Sequence, residues 1–304
     1  MVTHARFVIR RLATAVVFVF AVAIGAFVLV RLAPGDATTT MVLAGESNEA
    51  IAAARARLGL DQSVPVHLAA WLGRTVRLDL GESSRFGRPV SDLLADRIWN
   101  TALLATTALA LAVALGLPLG LLTGTRPRSW ATAVVTIVSV LLISCPPIIG
   151  TLGLLMLAAA TGWLSGGGHL ALPVLALALP LAATLERLQS QAAAETLAAP
   201  DIKAAAARGL TESRLIWLHV GRQSLRPVLG VSGLMVASLF SGSIAVETIT
   251  NWPGIGRLML DGLVGRDLYL VAGCAMAGAV MIAVANTIAD MLRAAADPRA
   301  RHAA

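Results

Sequence analysis

Charged residues divide the 304-residue chain into polar stretches and long runs free of Asp, Glu, Lys and Arg. Five such runs occupy residues 12–30, 98–125, 129–185, 227–246 and 268–289. A bilayer core of roughly 30 Å is crossed by about 20 apolar residues in a helix, so four of the runs predict one span each. The third run has 57 residues, too many for one crossing. It is interrupted by Gly162-Trp163-Leu164-Ser165-Gly166-Gly167-Gly168-His169, where a glycine cluster predicts a turn and splits the run in two. The pattern therefore predicts an all-α integral membrane protein of six transmembrane helices. Cys145-Pro146-Pro147 falls inside the third span, and two adjacent prolines remove backbone donors there and predict a kink.

The polar stretches complete the layout. The first span exceeds the about 7 to 15 residues of a signal-peptide core, and Arg31 with Pro34-Gly35 follows it in place of a small-residue cleavage site, so it reads as a retained helix. Residues 33–97 are too long for a connection. Helical composition at 48–58, Gly59, a second helical stretch at 67–76, Gly81 and a short helix near 90–98 predict a small extracytoplasmic subdomain. The expected division is a cytoplasmic tail with the first helix (1–32), this subdomain (33–97), a five-helix core with a cytoplasmic loop at 186–226 (98–293), and a cytoplasmic tail (294–304). Orientation follows from the basic residues. With the N-terminus inside, the inside segments hold 14 Lys and Arg against 5 acids, whereas the outside segments hold 10 of each. The positive-inside rule then places both termini in the cytoplasm.

Composition narrows the function. The chain is 57% hydrophobic and 13% charged, against about 25% charged in an ordinary soluble domain. Its net charge of +7 comes from arginines at the ends of apolar runs, not from a solvated basic patch, which excludes nucleic acid as a partner. Cys145 and Cys274 sit in apolar stretches without ligand-spaced neighbours, so no disulfide framework or metal site is expected. There is no GxxxxGK[ST] phosphate loop, no Ser, His and Asp constellation and no His-rich cluster, so no catalytic residue is assigned. A secondary transporter would carry inverted repeats and ionisable residues in mid-span; an integral-membrane enzyme would carry clustered His, Asp or Glu. Neither pattern is found.

The loop at 186–226 is the most informative segment. Pro200-Asp201 suits a helix start, Ala204 to Ala207 continue it, and Arg208-Gly209 stop it, with Gly supplying a left-handed turn. Thr211 and Glu212 begin a second short helix with apolar Leu215, Ile216, Leu218 and Val220 and cationic Arg214, His219, Arg222 and Arg226. Read by periodicity alone, this is an amphipathic helix lying on the membrane surface. The spacing Ala205-x-x-x-Gly209, with 18 residues from Gly209 to Pro227, resembles the coupling loop of ATP-binding-cassette (ABC) importer permeases of the dipeptide, oligopeptide and nickel family. RLAPGD (31–36), LGLDQSVPVHLAAWL (58–72), LDLG (78–81), GRPV (87–90), VETITNWPGIGR (246–257), GRDLYLV (265–271) and DPRAR (297–301) extend the resemblance to the B-type permease over nearly the whole chain. Asp201 and Ala206 stand where the family commonly has Tyr and Arg, Glu186 where it often has Arg, and Leu78 where a glycine is usual.

The resemblance implies an ABC importer type I permease fold in the inner membrane, carrying di- or oligopeptides, with nickel or a nickel chelate as the alternative solute. It implies a second homologous permease, two ATPase subunits that use ATP and Mg, and an extracytoplasmic substrate-binding protein as partners; this chain itself holds no cofactor. Ala205, Arg208, Gly209, Leu210, Thr211, Arg214, His219 and Pro227 would form the ATPase-coupling loop, Gly209 giving the bend, Ala205 close contact, and Arg208 and Arg214 charged contacts. Glu247, Trp252, Pro253, Gly254 and Gly256 would line the outer gate, although Glu247 reads equally as a structural cap or a partner of Arg257, and the turn residues equally as turn formers. Asp290 and Arg293 read as an i, i+3 pair in the last helix.

Overall fold

A computed structural model describes residues 2–39, 42, 45–162 and 170–296. The glycine cluster beyond Gly162, the DPRAR string and the side chain of Arg293 lie outside what is described. Among the described residues the architecture is helical, with one isolated antiparallel bridge between Glu82 and Pro89. The helices are α1 (Val2–Leu32), α2 (Asn48–Arg57), α3 (Val64–Thr75), α4 (Val90–Thr125), α5 (Trp130–Ser144), α6 (Pro147–Ala160), α7 (Ala171–Leu197), α8 (Pro200–Ala207), α9 (Glu212–Arg214), a π-helical segment (Leu215–Val220), α10 (Gly221–Gly230), α11 (Ser232–Ile249), α12 (Ile255–Val264) and α13 (Leu268–Ala296).

Among the described residues, five helices are individually long and apolar enough to cross a membrane: α1, α4, α7, α11 and α13. The third predicted span is the pair α5 and α6, bent by 112° at Cys145-Pro146. It makes a sixth span if the broken pair counts as one. The bend has a local cause. Proline disfavours helical backbone in the residue before it, Cys145 accordingly sits at φ −82°, ψ 119°, and the chain restarts with Pro147 at the first helical position. Two other boundaries differ from expectation. The short helix expected near 90–98 and the second span are one 36-residue helix, α4. The fifth span begins at Ser232, after a break at Val231, and Pro227 lies inside α10.

The chain forms two compact units. One takes in the described residues up to Ala102 together with Pro253–Ala283; the other takes in Leu103–Trp252 and the described residues from Val284 on. In the first unit, α1 packs on α3: Phe27 stacks on Trp71 with centroids 5.2 Å apart and meets the His67 ring edge-on at 5.2 Å. The GRDLYLV string ties this unit's turns. Asp267 accepts from Ser83 Oγ at 2.6 Å, from the Arg85 backbone N–H at 3.1 Å and from the Leu270 N–H at 3.1 Å. Tyr269 Oη lies 2.8 Å from His67 Nε2, accepts from Arg74 Nη2 at 3.1 Å and donates to the Leu58 carbonyl at 3.3 Å. Gly81, at φ +92°, passes so close to the Tyr269 ring that a Cβ would come within 3.0 Å of it. The 58–72 and 265–271 strings are thus joined in one polar latch.

The second unit has two apolar centres. One gathers Leu104, Ala108 and Ala112 of α4, Leu177, Leu181 and Leu185 of α7, and Met235, Leu239 and Val246 of α11. The other, smaller, is formed by Leu121, Ala193, Ile202, Ala205, Leu215, Ile216 and Val220 beneath the predicted coupling loop.

Candidate functional site

The loop is built as two helices meeting at Gly209. Pro200 occupies the first turn of α8, where its missing donor is not needed, and Asp201 follows it. The Asp201 carboxylate accepts from Gln223 Nε2 of α10 at 2.7 Å. That hydrogen bond holds the carboxyl below its ordinary range and braces the two arms of the turn. Ile202 and Ala205 point into the smaller core, at 2% and 4% exposure. This corrects the expectation for Ala205: its methyl is spent on the chain's own packing, and the small exposed side chains of α8 are Ala204, Ala206 and Ala207.

Arg208 caps α8 and is exposed. Gly209 has φ +84°, and a Cβ placed there would meet nothing within 4 Å. The glycine is therefore required by backbone conformation alone. Leu210 packs half-buried against the smaller core. Thr211 occupies the N-cap of α9 with extended backbone and makes no side-chain cap bond, and exposed Glu212 accepts from Arg126 Nη2 at 3.0 Å. Arg214 is exposed, His219 half-buried and Pro227 exposed. The π-helical turn shifts the register of the expected amphipathic face. Leu215, Ile216 and Val220 are buried as expected, whereas Leu218 joins Trp217 on the surface, at 60% and 52% exposure. Such wide turns are frequent at functional sites.

The predicted outer-gate residues fall in both units. Glu247 is fully buried on α11 in the second unit, so in this arrangement its carboxylate faces no open path. The Trp252 N–H donates to the Glu247 carbonyl at 2.9 Å after a left-handed Asn251 at φ +58°. In the first unit, the Pro253 carbonyl accepts from Asn100 Nδ2 at 2.9 Å, and the Ile255 N–H donates to Thr101 Oγ1 at 2.8 Å. Gly254 is the N-cap of α12 and Gly256 is buried in its first turn.

Two features escaped the sequence reading. Gly116, Gly120 and Gly124 form a stripe at i, i+4, i+8 on α4 that lies directly on Ala182, Glu186 and Ser190 of α7. Their spacing, GxxxGxxxG within an apolar helix, is the signal that finds it. The second is a pair of buried polar bridges. Thr123 Oγ1 donates to Glu186 Oε1 at 2.6 Å, and Gln189 Nε2 donates to Ser224 Oγ at 2.7 Å. Glu186 was expected to mark the end of a span. It lies instead inside α7 at 1% exposure. Among the described residues no group of three or more His, Cys, Asp or Glu side chains is placed to hold a metal ion.

Comparison with known proteins finds relatives that match most of the chain. Residues 116–302 match the family described as binding-protein-dependent transport system inner membrane component, and residues 4–105 match its N-terminal counterpart. The oligopeptide transport system permease protein AppB of Bacillus subtilis is 33% identical, the match covering 97% of this chain and 99% of AppB. A putative peptide permease protein of Brucella ovis is 31% identical over 97% of this chain and 98% of its own length. The nickel import system permease protein NikB of Staphylococcus aureus is 27% identical over 96% and 90%. A solved chain of the inward-facing MetNI methionine ABC transporter shares the fold, with a TM-score of 0.59 at 18% identity, covering 67% of this chain and 96% of that one. The chain belongs to the binding-protein-dependent transport system inner membrane component family and is a multi-pass permease subunit of an ABC importer, not an enzyme.

Proposed function

We propose that this permease forms one half of the translocation path of an ATP-driven importer of di- or oligopeptides. The observation that carries the solute class is the end-to-end match with AppB, an oligopeptide permease, at 33% identity. The other half is a homologous second permease. Two ATPase subunits supply the energy, using ATP and Mg, and an extracytoplasmic binding protein delivers the solute. The loop around Gly209 is the ATPase contact: exposed Ala204, Ala206, Arg208 and Arg214 flank the left-handed turn at Gly209. Closure of the ATPase pair pushes this turn, and the membrane helices rotate with it. Full burial of Glu247 favours its reading as scaffold behind the outer turn.

The test is uptake by the complete complex in proteoliposomes. Trialanine should enter in an ATP-dependent manner and compete with longer peptides, whereas free Ni2+ should not. Ni2+ uptake without peptide uptake would favour the second reading, which rests on the match to NikB. Gly209→Val tests the loop. The left-handed backbone costs a β-branched residue about 1–2 kcal/mol, with no neighbouring atom to add a clash. Transport and solute-stimulated ATP hydrolysis should fall together while membrane insertion stays normal; a transport rate equal to the parent's would overturn the loop assignment. The proposed orientation places both termini in the cytoplasm. A cysteine at exposed Ser63 should react with an impermeant reagent from outside, and one at exposed Ser213 should not.

A further inference from the structure

Helices α4 and α7 touch backbone to backbone. A Cβ on Gly116 would come within 2.6 Å of the Ala182 carbonyl oxygen, and one on Gly120 within 2.5 Å of the Glu186 carbonyl oxygen; on Gly124 it would meet the Ser190 carbonyl. Close packing of this kind brings helices together, but an apolar seam still allows one to slide along the other. One buried bridge, Thr123–Glu186, crosses this contact, and the other, Gln189–Ser224, joins α7 to α10. Thr123, Glu186, Gln189 and Ser224 are at most 4% exposed, and Ser224 donates onward to the Val220 carbonyl of the π-helical turn at 2.7 Å. A hydrogen bond in such surroundings is directional and costly to leave unmade, so each bridge fixes the register of the helices it joins.

Stability alone does not explain these residues. Glu186 Oε2 and Gln189 Oε1 are buried without hydrogen-bond partners. A seam selected only to hold together would carry apolar side chains at both ends of each bridge, since replacing both partners of a buried hydrogen bond by apolar groups of the same shape is often neutral or stabilising. We propose that Thr123, Glu186, Gln189 and Ser224 are positioning residues that lock α4, α7 and α10 into one body, so that displacement of the Gly209 turn reaches the membrane helices undiminished. The lock continues to the turn itself through the Asp201–Gln223 hydrogen bond and the packing of Ile202 and Ala205. The inference rests on the reading of that turn as the ATPase contact.

The test uses the assembled complex with Thr123→Val and Ser224→Ala, which remove the bridging hydroxyls at nearly constant volume. Solute imported per ATP hydrolysed is measured with whichever of trialanine and Ni2+ the parent imports. The double variant should keep ATP hydrolysis within about twofold and lose at least about fivefold in the ratio, the scale of one buried hydrogen bond. Glu186→Gln, which still accepts from Thr123, should keep the parent ratio, and Glu186→Leu should not. A solute-independent readout is the distance between spin labels at Ser213 and Val113, both on the second unit. It should stay constant between nucleotide-free and ATP-bound parent complexes and change in the double variant. An unchanged ratio and an unchanged distance in the double variant overturn the inference, as does a ratio preserved while assembly fails in proportion. Gly209→Val separates the two claims. If it is silent, the coupling reading has failed; if it abolishes transport while the bridge variants keep their ratio, only the lock has failed.

Discussion

The two units hold their helices together by opposite means. The first gathers turns around polar side chains: Asp267 collects three donors, and Tyr269 joins His67, Arg74 and the Leu58 carbonyl. The second removes side chains altogether where α4 meets α7. The contrast follows from the solvent. Burying apolar surface drives association in water, and the hydrogen bonds then select one arrangement of the first unit's turns. Lipid tails are as apolar as leucine, so helices in a bilayer gain by close van der Waals approach, which small residues permit. Glycine consequently has different meanings across the chain. At Gly120 it is required for space, and at Gly209 for backbone conformation.

Breaking the seam should have the largest effect. In Gly120→Ala the new methyl would lie 2.5 Å from a backbone oxygen and 2.6 Å from Gln189 Cβ, neither of which can swing away. The helices must separate, at a cost of about 1–3 kcal/mol, seen as a lowered unfolding temperature and a poorly monodisperse complex in detergent. Gly153→Ala is the control, because a Cβ there meets nothing within 4 Å. That change should be neutral or stabilising by up to about 1 kcal/mol through helix propensity. Equal loss in the two variants would remove the distinction between seam and surface glycines.

The degree to which sequence revealed these features follows the same division. Charge-free runs located the spans because lipid excludes charge, but they mark where a helix leaves the bilayer and not where it ends. Asp92, Asp96 and Arg97 lie before the charge-free run yet belong to the same helix as Gly116. Glu186 shows the converse: read as a boundary, it is an interior residue whose carboxyl oxygen accepts from Thr123. Pro146 and Pro147 announced a kink, and its 112° angle is read only from the structure. The two-helix form of the segment around Gly209 was legible, since a proline start and a left-handed glycine stop are local signals. The outward turn of Leu218 was not, because a π-helical turn changes the register without a mark in composition; nor was the inward turn of Ala205, because the buried face of an all-alanine turn is set by its tertiary neighbours. The glycine stripe was readable from its spacing; only its partner helix needed the fold.

A pH change should sharpen the description of the first unit. His67 is held below its ordinary pKa by burial, and by the nearby Arg31 and Arg74 guanidinium groups, with Asp61 opposing. The unfolded chain therefore takes up a proton near pH 6.5 that the folded latch resists. His67 should thus leave stability unaffected above that pH and reduce it progressively as the pH falls below it. Thermal unfolding at pH 8 and pH 5.5 should show a drop that shrinks in His67→Gln. An equal drop in the variant would assign the acid sensitivity to other groups, and a higher unfolding temperature at pH 5.5 would reverse the sign.

The smallest expected effect is a gain. Leu78 lies at φ +64°, in the left-handed region that glycine adopts without strain, and it is the position where the resembled family usually carries glycine. Its side chain is 84% exposed, so truncation removes little packing. The turn is held by backbone bonds on both sides, from the Leu78 N–H to the Thr75 carbonyl at 2.9 Å and from the Asp79 N–H to the Arg74 carbonyl at 3.1 Å. Leu78→Gly should relieve about 1–2 kcal/mol of left-handed strain, offset by about 0.4–1 kcal/mol from the greater freedom of glycine in the unfolded chain. The net stabilisation, under about 1.5 kcal/mol, should raise the unfolding temperature by about 1–4 °C and leave transport unchanged. In the same protein, Gly81→Leu should do the reverse and more strongly, because φ +92° and the Tyr269 ring both oppose a side chain there. If the two substitutions move stability in the same direction, backbone conformation is not what distinguishes these neighbouring positions, and the strain at Leu78 is already absorbed by the turn around it.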